Sequence, residues 1–338
     1  MAELVKISAS RLKKFQSCSW QYWCSYHLKL PDKTNYGALM GTECHTVFEC
    51  LLNPRHRALY DAVMAKPATI TNVPAIERHV KRYMKKNGLP DELFDQIDTM
   101  ILVGLSTDFF CKGGTLLQPE LSFEIKNENP RYRIGGLIDK PAEYNGKFIR
   151  IADYKSSKKK FEGDDLKINV QAMMYSLAAK KLWPHLIPVV DFIFLQFPDD
   201  PIQRLKFTDG QLRGFELFLA DIQAQMNTFD IKAAKANMAG KQKMPKNGEG
   251  FKGPLLCGWA GKGFVSHPDQ KKKNGDPSYY CPFKFEFDYY ALCNEAGDVL
   301  RTSKTEGELV PKVEKGEFVV KKHYGGCPHF QKKPMPSF

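Results

Sequence analysis

Gly136-Leu137-Ile138-Asp139, followed after a short connection by Phe148-Ile149-Arg150-Ile151-Ala152-Asp153-Tyr154-Lys155, is the stretch whose reading decides the fold. Tyr132–Ile138 and Lys147–Tyr154 are β-rich and bounded by turn residues. Between them stands Tyr144-Asn145-Gly146-Lys147, a hairpin signal because Asn-Gly accepts positive φ. On a strand, Asp153 and Lys155 share a face and Tyr154 points away. Asp139 closes the preceding strand, so two carboxylates and a lysine converge at the edge of a small sheet. Hard oxygen ligands in such a cluster suit Mg²⁺ or Mn²⁺. An ion there could activate water and neutralise charge on a phosphodiester. A bare D-x-K, by contrast, is more often a surface ion pair of little worth.

The hairpin carries a parity condition. A two-residue turn at Asn145-Gly146 would pair Tyr144 with Lys147 and put Asp139 and Asp153 on opposite faces. A shared metal site therefore requires a three-residue loop Tyr144-Asn145-Gly146, pairing Glu143 with Lys147, or a bulge near Pro141.

Outward from this centre the pattern alternates. Upstream, Leu121–Ile125 reads as another strand, and Glu120 and Glu124 compete for a third carboxylate. Downstream, Val170–Leu182 has helical spacing, with Gln171 and Tyr175 four apart on one face. Val189–Phe197 reads as a strand, and Thr208-Asp209-Gly210-Gln211 as a capping box opening a helix to about Phe229. Near the start, one helix from Ser8 or Ser10 would carry Phe15, Cys18, Trp20, Tyr22 and Trp23. A second, near Gly41, would carry His45, Phe48 and Leu52. The order is that of an α/β core with attachments.

In this order the motifs resemble the PD-(D/E)XK nucleases, in the branch of RecB-type and CRISPR-adaptation exonucleases that includes stand-alone phage nucleases. That branch reads G-x-x-x-H, E, G-x-x-D, D-x-K, Q-x-x-x-Y. Here these are Gly41…His45, Glu120, Gly136…Asp139, Asp153…Lys155 and Gln171…Tyr175, over roughly residues 5–230. The resemblance implies a restriction-endonuclease-like core, a small mixed sheet flanked by helices. It implies metal binding by Asp139, Asp153 and the Tyr154 carbonyl, with His45 as a further ligand or orienter. Glu120 would be a supporting carboxylate and Lys155 the catalytic lysine. Gln171 and Tyr175 would contact DNA or order the site. Asp153 stands where many relatives have Glu.

The expected division is 1–58, N-terminal helices; 59–115, helical insertion; 116–230, nuclease core; and 231–338, a basic Cys-containing segment closing onto the N-terminus. The chain has nine cysteines. Several relatives carry one N-terminal and three C-terminal cysteines that bind a [4Fe–4S] cluster; the counterparts would be Cys18, Cys257, Cys281 and Cys327. Four thiolates suit zinc as well, Cys24 could replace Cys18, and buried thiols can also be plain apolar side chains.

Lys and Arg number 50 against 38 acids, a net charge of +12, which favours a polyanionic partner. Lys158, Lys159 and Lys160 follow the D-x-K strand, and Lys271–Lys273 and Lys232–Lys252 add further basic loops; such loops suit phosphate contacts. With 43% hydrophobic and 26% charged residues the chain is neither disordered nor collagen-like. No apolar run could span a membrane. MAELVKISASRLKKF lacks the apolar core of a signal peptide, so a cytoplasmic home, in a bacterial or phage-infected cell, is expected. No G-x-x-x-x-G-K-[ST] occurs, so any helicase would be a separate protein.

The leading expectation is thus a Mg- or Mn-dependent deoxyribonuclease, an exonuclease on single strands or duplex ends in recombination, repair or phage DNA processing. The alternatives are a silent nuclease-fold module that binds DNA or protein, or a zinc-stabilised nucleic-acid-binding protein. Two aspartates with a lysine argue against the silent module, because a scaffold does not need that trio.

Overall fold

Phe148–Lys155 is the axis of the computed structural model, which describes residues 3–32, 35–236, 267–271 and 280–328. Ile149, Ile151, Ala152, Asp153 and Tyr154 are all buried, so this strand is covered on both faces. In chain order the helices are α1 (Ala9–Ser17), α2 (Ser19–Tyr26), α3 (Tyr36–Leu52), α4 (Arg57–Val63), α5 (Pro74–Asn87), α6 (Phe94–Ser106), α7 (Asp164–Lys167), α8 (Val170–Leu182), α9 (Asp209–Asn227) and α10 (Ile231–Ala236). The strands are β1 (Thr115–Leu116), β2 (Leu121–Glu128), β3 (Arg131–Ile138), β4 (Lys140–Tyr144), β5 (Phe148–Lys155), β6 (Ile187–Phe194), β7 (Ile202–Leu205), β8 (Phe287–Cys293), β9 (Val299–Ser303) and β10 (Phe318–Tyr324). The central sheet has the order β1-β4-β5-β6-β7. It is antiparallel except where β5 and β6 run parallel, joined through α8. This is the expected α/β core, a mixed sheet flanked by helices.

Two compact units emerge: Met1–Ala9 with Thr34–Asn227, and Ser10–Lys33 with Thr228–Phe338. Each unit is assembled from two separate stretches of chain. Residues 59–115 are not set apart from the core. Their buried side chains, Val80, Met84, Ile97, Ile101 and Phe109 among them, join α3 and the sheet residues Ala152, Tyr154 and Ile193 in one apolar cluster. The N-terminal helices divide too, because α2 packs with the C-terminal segment. Within that second unit, Trp20 Nε1 donates to the Tyr324 hydroxyl at 2.8 Å, and Ser19 Oγ to the Ala234 carbonyl at 3.1 Å. Strands β10-β8-β9 form its sheet.

The single helix expected at the N-terminus is broken at Cys18. Its backbone is extended, and its thiol caps α2 by accepting from the Gln21 N–H at 3.4 Å. At α9 the capping box is reciprocal: Gln211 Oε1 accepts from Thr208 N–H at 2.9 Å, and Thr208 Oγ1 from Gln211 N–H at 3.2 Å.

The hairpin register also differs from expectation. Tyr144 pairs with Phe148 and Glu143 with Ile149, so the three-residue loop is Asn145-Gly146-Lys147 rather than Tyr144-Asn145-Gly146. Asn145 and Gly146 both adopt left-handed φ, 54° and 61°, and Lys147 becomes the extra residue. Parity changes as the shared-face argument required. Lys140 faces Ala152, so Asp139 continues the register toward Asp153. Asp139 itself is a corner: β3 ends at Ile138 in a two-stranded sheet with β2, and the next residue after Asp139 enters the central sheet. Among the described residues, no helix is long and apolar enough to cross a membrane.

Candidate active site

The end of β5 at Asp153-Tyr154-Lys155 gathers residues from four elements. On one side lies α3, whose start is capped by Asn35 Oδ1 on the Ala38 N–H at 2.8 Å. At Gly41 α3 comes very close to the end of β5. A Cβ there would stand 2.6 Å from Ser156 Oγ and 3.1 Å from Ser156 Cβ. One helical turn on, His45 Nε2 sits 3.3 Å from the Tyr154 carbonyl. The G-x-x-x-H spacing is therefore a close-approach residue followed one turn later by the side chain that the approach delivers.

His45 Nδ1 faces two acids, Asp139 Oδ2 at 3.6 Å and Glu120 Oε1 at 3.9 Å. Ligand atoms of His45, Glu120 and Asp139 all lie within 4.8 Å of one another. Asp139 Oδ2 also accepts from the Tyr154 N–H at 3.0 Å, and its carbonyl accepts from Glu120 N–H at 2.9 Å. Glu120 has φ of +50°, a strained region for a residue with a Cβ. Glu124 lies elsewhere, exposed on β2 and paired with Arg133 at 3.0 Å.

Around Asp153 lies a second network. Lys155 Nζ is 2.5 Å from Asp153 Oδ2 and donates to Gln171 Oε1 at 2.9 Å. Gln171 Nε2 donates to Asp153 Oδ1 at 2.8 Å, and the Tyr175 hydroxyl lies 2.8 Å from the same oxygen. The Q-x-x-x-Y spacing on α8 thus puts two donors on one carboxylate. Tyr175 is buried. The metal-capable group is His45, Glu120 and Asp139, and Asp153 is near enough for its charge to act on both Asp139 and His45.

The two halves feel each other electrostatically. Burial, then the Asp153 charge, push the Asp139 carboxyl up to about 7. For His45, burial pulls downward, but the Glu120 carboxylate and the charges of Asp139 and Asp153 outweigh it and raise the imidazole to about 9. Two carboxylates, an imidazole and a peptide carbonyl make a donor set suited to a hard divalent cation.

Beside the site opens a cleft of about 800 Å³, lined by Ala38, Thr42, His45, Lys155, Ser157 and Lys158 among others. Of the three lysines after the D-x-K, Lys158 lines it and Lys159 is exposed, while Lys160 is held by Asp200 at 2.6 Å. Sequence reasoning missed Ser156, the surface against which Gly41 packs, and Gln196, which donates to the Ser156 carbonyl at 2.6 Å. Adjacency to the D-x-K was the available signal for Ser156; Gln196 had none.

In the second unit, Cys18, Cys281 and Cys327 are half-buried against one apolar cluster that includes Trp20, Phe283 and Tyr324. Cys24 is fully buried there, its thiol pushed up to about 12 mainly by burial. Cys257, Lys272–Lys273 and most of Lys232–Lys252 lie outside the described residues.

The sequence model of the PD-(D/E)XK nuclease superfamily matches residues 6–249. Among curated proteins, the chain is 27% identical over 183 residues to one subunit of the ATP-dependent helicase/deoxyribonuclease of Listeria welshimeri and of Listeria innocua. The counterpart in Bacillus pumilus is 24% identical over 180 residues. These matches take in 46% and 45% of this chain but only 16% and 15% of those relatives. A crystal structure from Eubacterium rectale, provisionally named an exonuclease, superposes with a TM-score of 0.40 and 14% identity, over 65% of this chain and 79% of that one.

Proposed function

The chain belongs to the PD-(D/E)XK nuclease superfamily, and from that premise we propose that it hydrolyses DNA phosphodiesters with Mg²⁺ or Mn²⁺, as an exonuclease acting on strand ends. The observation that carries the reading is the convergence of His45, Glu120 and Asp139 beside the Asp153–Lys155 pair, at a cleft open to a polymer.

Asp139, Glu120 and His45 would hold the cation, with the Tyr154 carbonyl and Asp153 next to them. Bound there, the ion supplies Lewis-acid charge neutralisation and a more acidic water. Asp153 would aim the Lys155 ammonium, and Gln171 and Tyr175 would keep Asp153 from turning. Burial and the Asp153 charge hold the Tyr175 hydroxyl well above its ordinary range, so it stays a donor. Lys155 Nζ would face a non-bridging oxygen of the scissile phosphate, where negative charge grows as water oxygen bonds to phosphorus and the P–O ester bond breaks. The leaving oxygen takes up a proton, completing hydrolysis.

The same reading extends to a cysteine clasp in the second unit: Cys18, Cys281 and Cys327, with Cys257, would bind a [4Fe–4S] cluster or, in the alternative, zinc. Its support is the grouping of three half-buried thiols around one core, with Cys24 as an apolar neighbour. The relatives are parts of helicase/deoxyribonucleases, which is the ground for proposing a separate helicase or recombination protein as partner and a cytoplasmic role in DNA recombination, repair or phage DNA processing.

The test is incubation with end-labelled single- and double-stranded DNA in Mg²⁺, Mn²⁺ or EDTA. Metal-dependent release of mononucleotides or short products from the ends supports the reading. Salt-sensitive binding without cleavage under every metal would replace it with the silent DNA-binding module.

A further inference from the structure

We propose that the exposed face of α5 is a phosphate track that leads a DNA strand to the cleft beside His45. The proposal rests on the nuclease reading for the identity of the polyanion, and on α5 for its path. The sequence of α5, Pro-Ala-Ile-Glu-Arg-His-Val-Lys-Arg-Tyr-Met-Lys-Lys-Asn, divides cleanly. Ile76, Val80 and Met84 are buried, and Arg78, Arg82, Lys85 and Lys86 are exposed. At 3.6 residues per turn these four cations fall within an arc of about 100°, opposite the buried stripe.

The arrangement costs the free protein something. Arg78 with Arg82, Lys81 with Lys85, and Arg82 with Lys86 are like charges four apart, a destabilising spacing on a helix. Lys85 and Lys86 recover part of this at the helix C-terminus, where the dipole favours cations. Arg78 and Arg82 lie too far from that end to benefit. Among the described residues none of the four has an ion-pair partner, whereas Lys81 is held by Glu77 at 2.6 Å. A polyanion lying along the face would supply the counter-charge that the protein itself omits.

Position links this face to the site. His79 Nε2 is 3.4 Å from Glu43 Oε1, and the Tyr83 hydroxyl donates to the Leu39 carbonyl at 3.1 Å. Leu39 and Glu43 belong to the turns of α3 that also present Ala38, Thr42 and His45 to the cleft. Lys86, seven residues after His79, borders that packed side. The cationic face therefore flanks the helix that forms one wall of the cleft, and Lys158 stands in the cleft itself.

The test uses the full chain carrying R78Q, R82Q and K86Q together. Glutamine keeps helix propensity close to that of Arg and Lys, and removing repulsion should leave the thermal midpoint equal or slightly higher. Binding of a fluorescent single-stranded oligodeoxynucleotide, measured in EDTA across a salt series, should weaken roughly tenfold at low salt, and the slope of log affinity on log salt should shrink by about 2. Metal-dependent hydrolysis of bis(p-nitrophenyl) phosphate, too small to reach α5, should be unchanged. A control triple, K112Q, K147Q and K206Q, removes equal charge from exposed lysines near the far end of β5. Unchanged affinity and slope in the α5 variant, or an equal loss in the control, overturns the track. If the wild type binds with the α5-dependent slope yet cleaves nothing under any metal, the nuclease reading fails and the track stands. If the wild type does not bind DNA, both fall.

Discussion

Gly41→Ala separates two physical effects by the sign of its outcome. In an exposed helix interior this change stabilises by about 0.5–1 kcal/mol, because alanine has less backbone freedom to lose on folding. Here the new methyl would stand 2.6 Å from Ser156 Oγ, 0.8 Å short of the 3.4 Å at which ordinary contact begins. Rotating the hydroxyl relieves only part of this. Ser156 Cβ stays at 3.1 Å, and the hydroxyl is committed to the Gly37 carbonyl at 3.0 Å. The helix must back away, and overpacking of this kind costs about 1–3 kcal/mol. The retreat also lifts His45, one turn on, from the Tyr154 carbonyl now 3.3 Å away. A misplacement approaching 1 Å can cost roughly a hundredfold in rate. Ser156→Gly removes the obstacle at the cost of one hydrogen bond, about 1 kcal/mol. The double variant should therefore be more stable than the sum of its parts by about 1–2 kcal/mol. Urea unfolding of all four proteins measures the cycle, and cleavage of end-labelled DNA reports the rate. A Gly41→Ala protein as stable as the wild type and equally active would refute the close-approach account of the G-x-x-x-H spacing.

Three further outcomes follow from the same geometry. Lys155→Ala should lower the cleavage rate by about a hundredfold or more while the urea midpoint holds, and Tyr175→Phe should lower it less, since Gln171 still holds Asp153; equal rates in wild type and Lys155→Ala would remove Lys155 from the chemistry. Glu43 is buried, with no hydrogen bond to either carboxylate oxygen although His79 Nε2 lies 3.4 Å from Oε1, and burial raises it from its ordinary 4.5 to about 7. Its folded value lies above the unfolded one, so its contribution is intact below pH 4.5 and about 3 kcal/mol is lost as pH rises through 7. Glu43→Gln should gain that amount on the wild type between pH 4 and pH 8, and a pH-independent difference in unfolding free energy would contradict it. Anaerobically purified protein should contain iron and acid-labile sulfide, and Cys18→Ser or Cys327→Ser should bleach it and loosen the second unit; stoichiometric zinc in colourless protein selects the zinc alternative, and neither element removes the clasp.

Much of the site was legible in the sequence because its spacings are local geometry. Asp153 and Lys155 share a face by strand alternation, Gln171 meets Tyr175 by helical spacing, and the Thr208–Gln211 box forms from adjacent residues. Each of these depends on two or three residues and one backbone conformation. The α/β order followed from the same periodicities.

Tertiary structure decided what depends on distant chain. The loop register at Asn145-Gly146-Lys147 could not be read from Asn-Gly alone, since either adjacent three-residue loop satisfies parity and only the folded pairing distinguishes them. Which carboxylates gather around His45 turns on the corner at Asp139 and on α3 sliding in over Gly41, encounters of residues far apart in the chain. The division into units was hidden for the same reason. Trp20 and Tyr324 meet only once the chain has folded back across 304 residues, and no local pattern encodes which apolar faces cover each other.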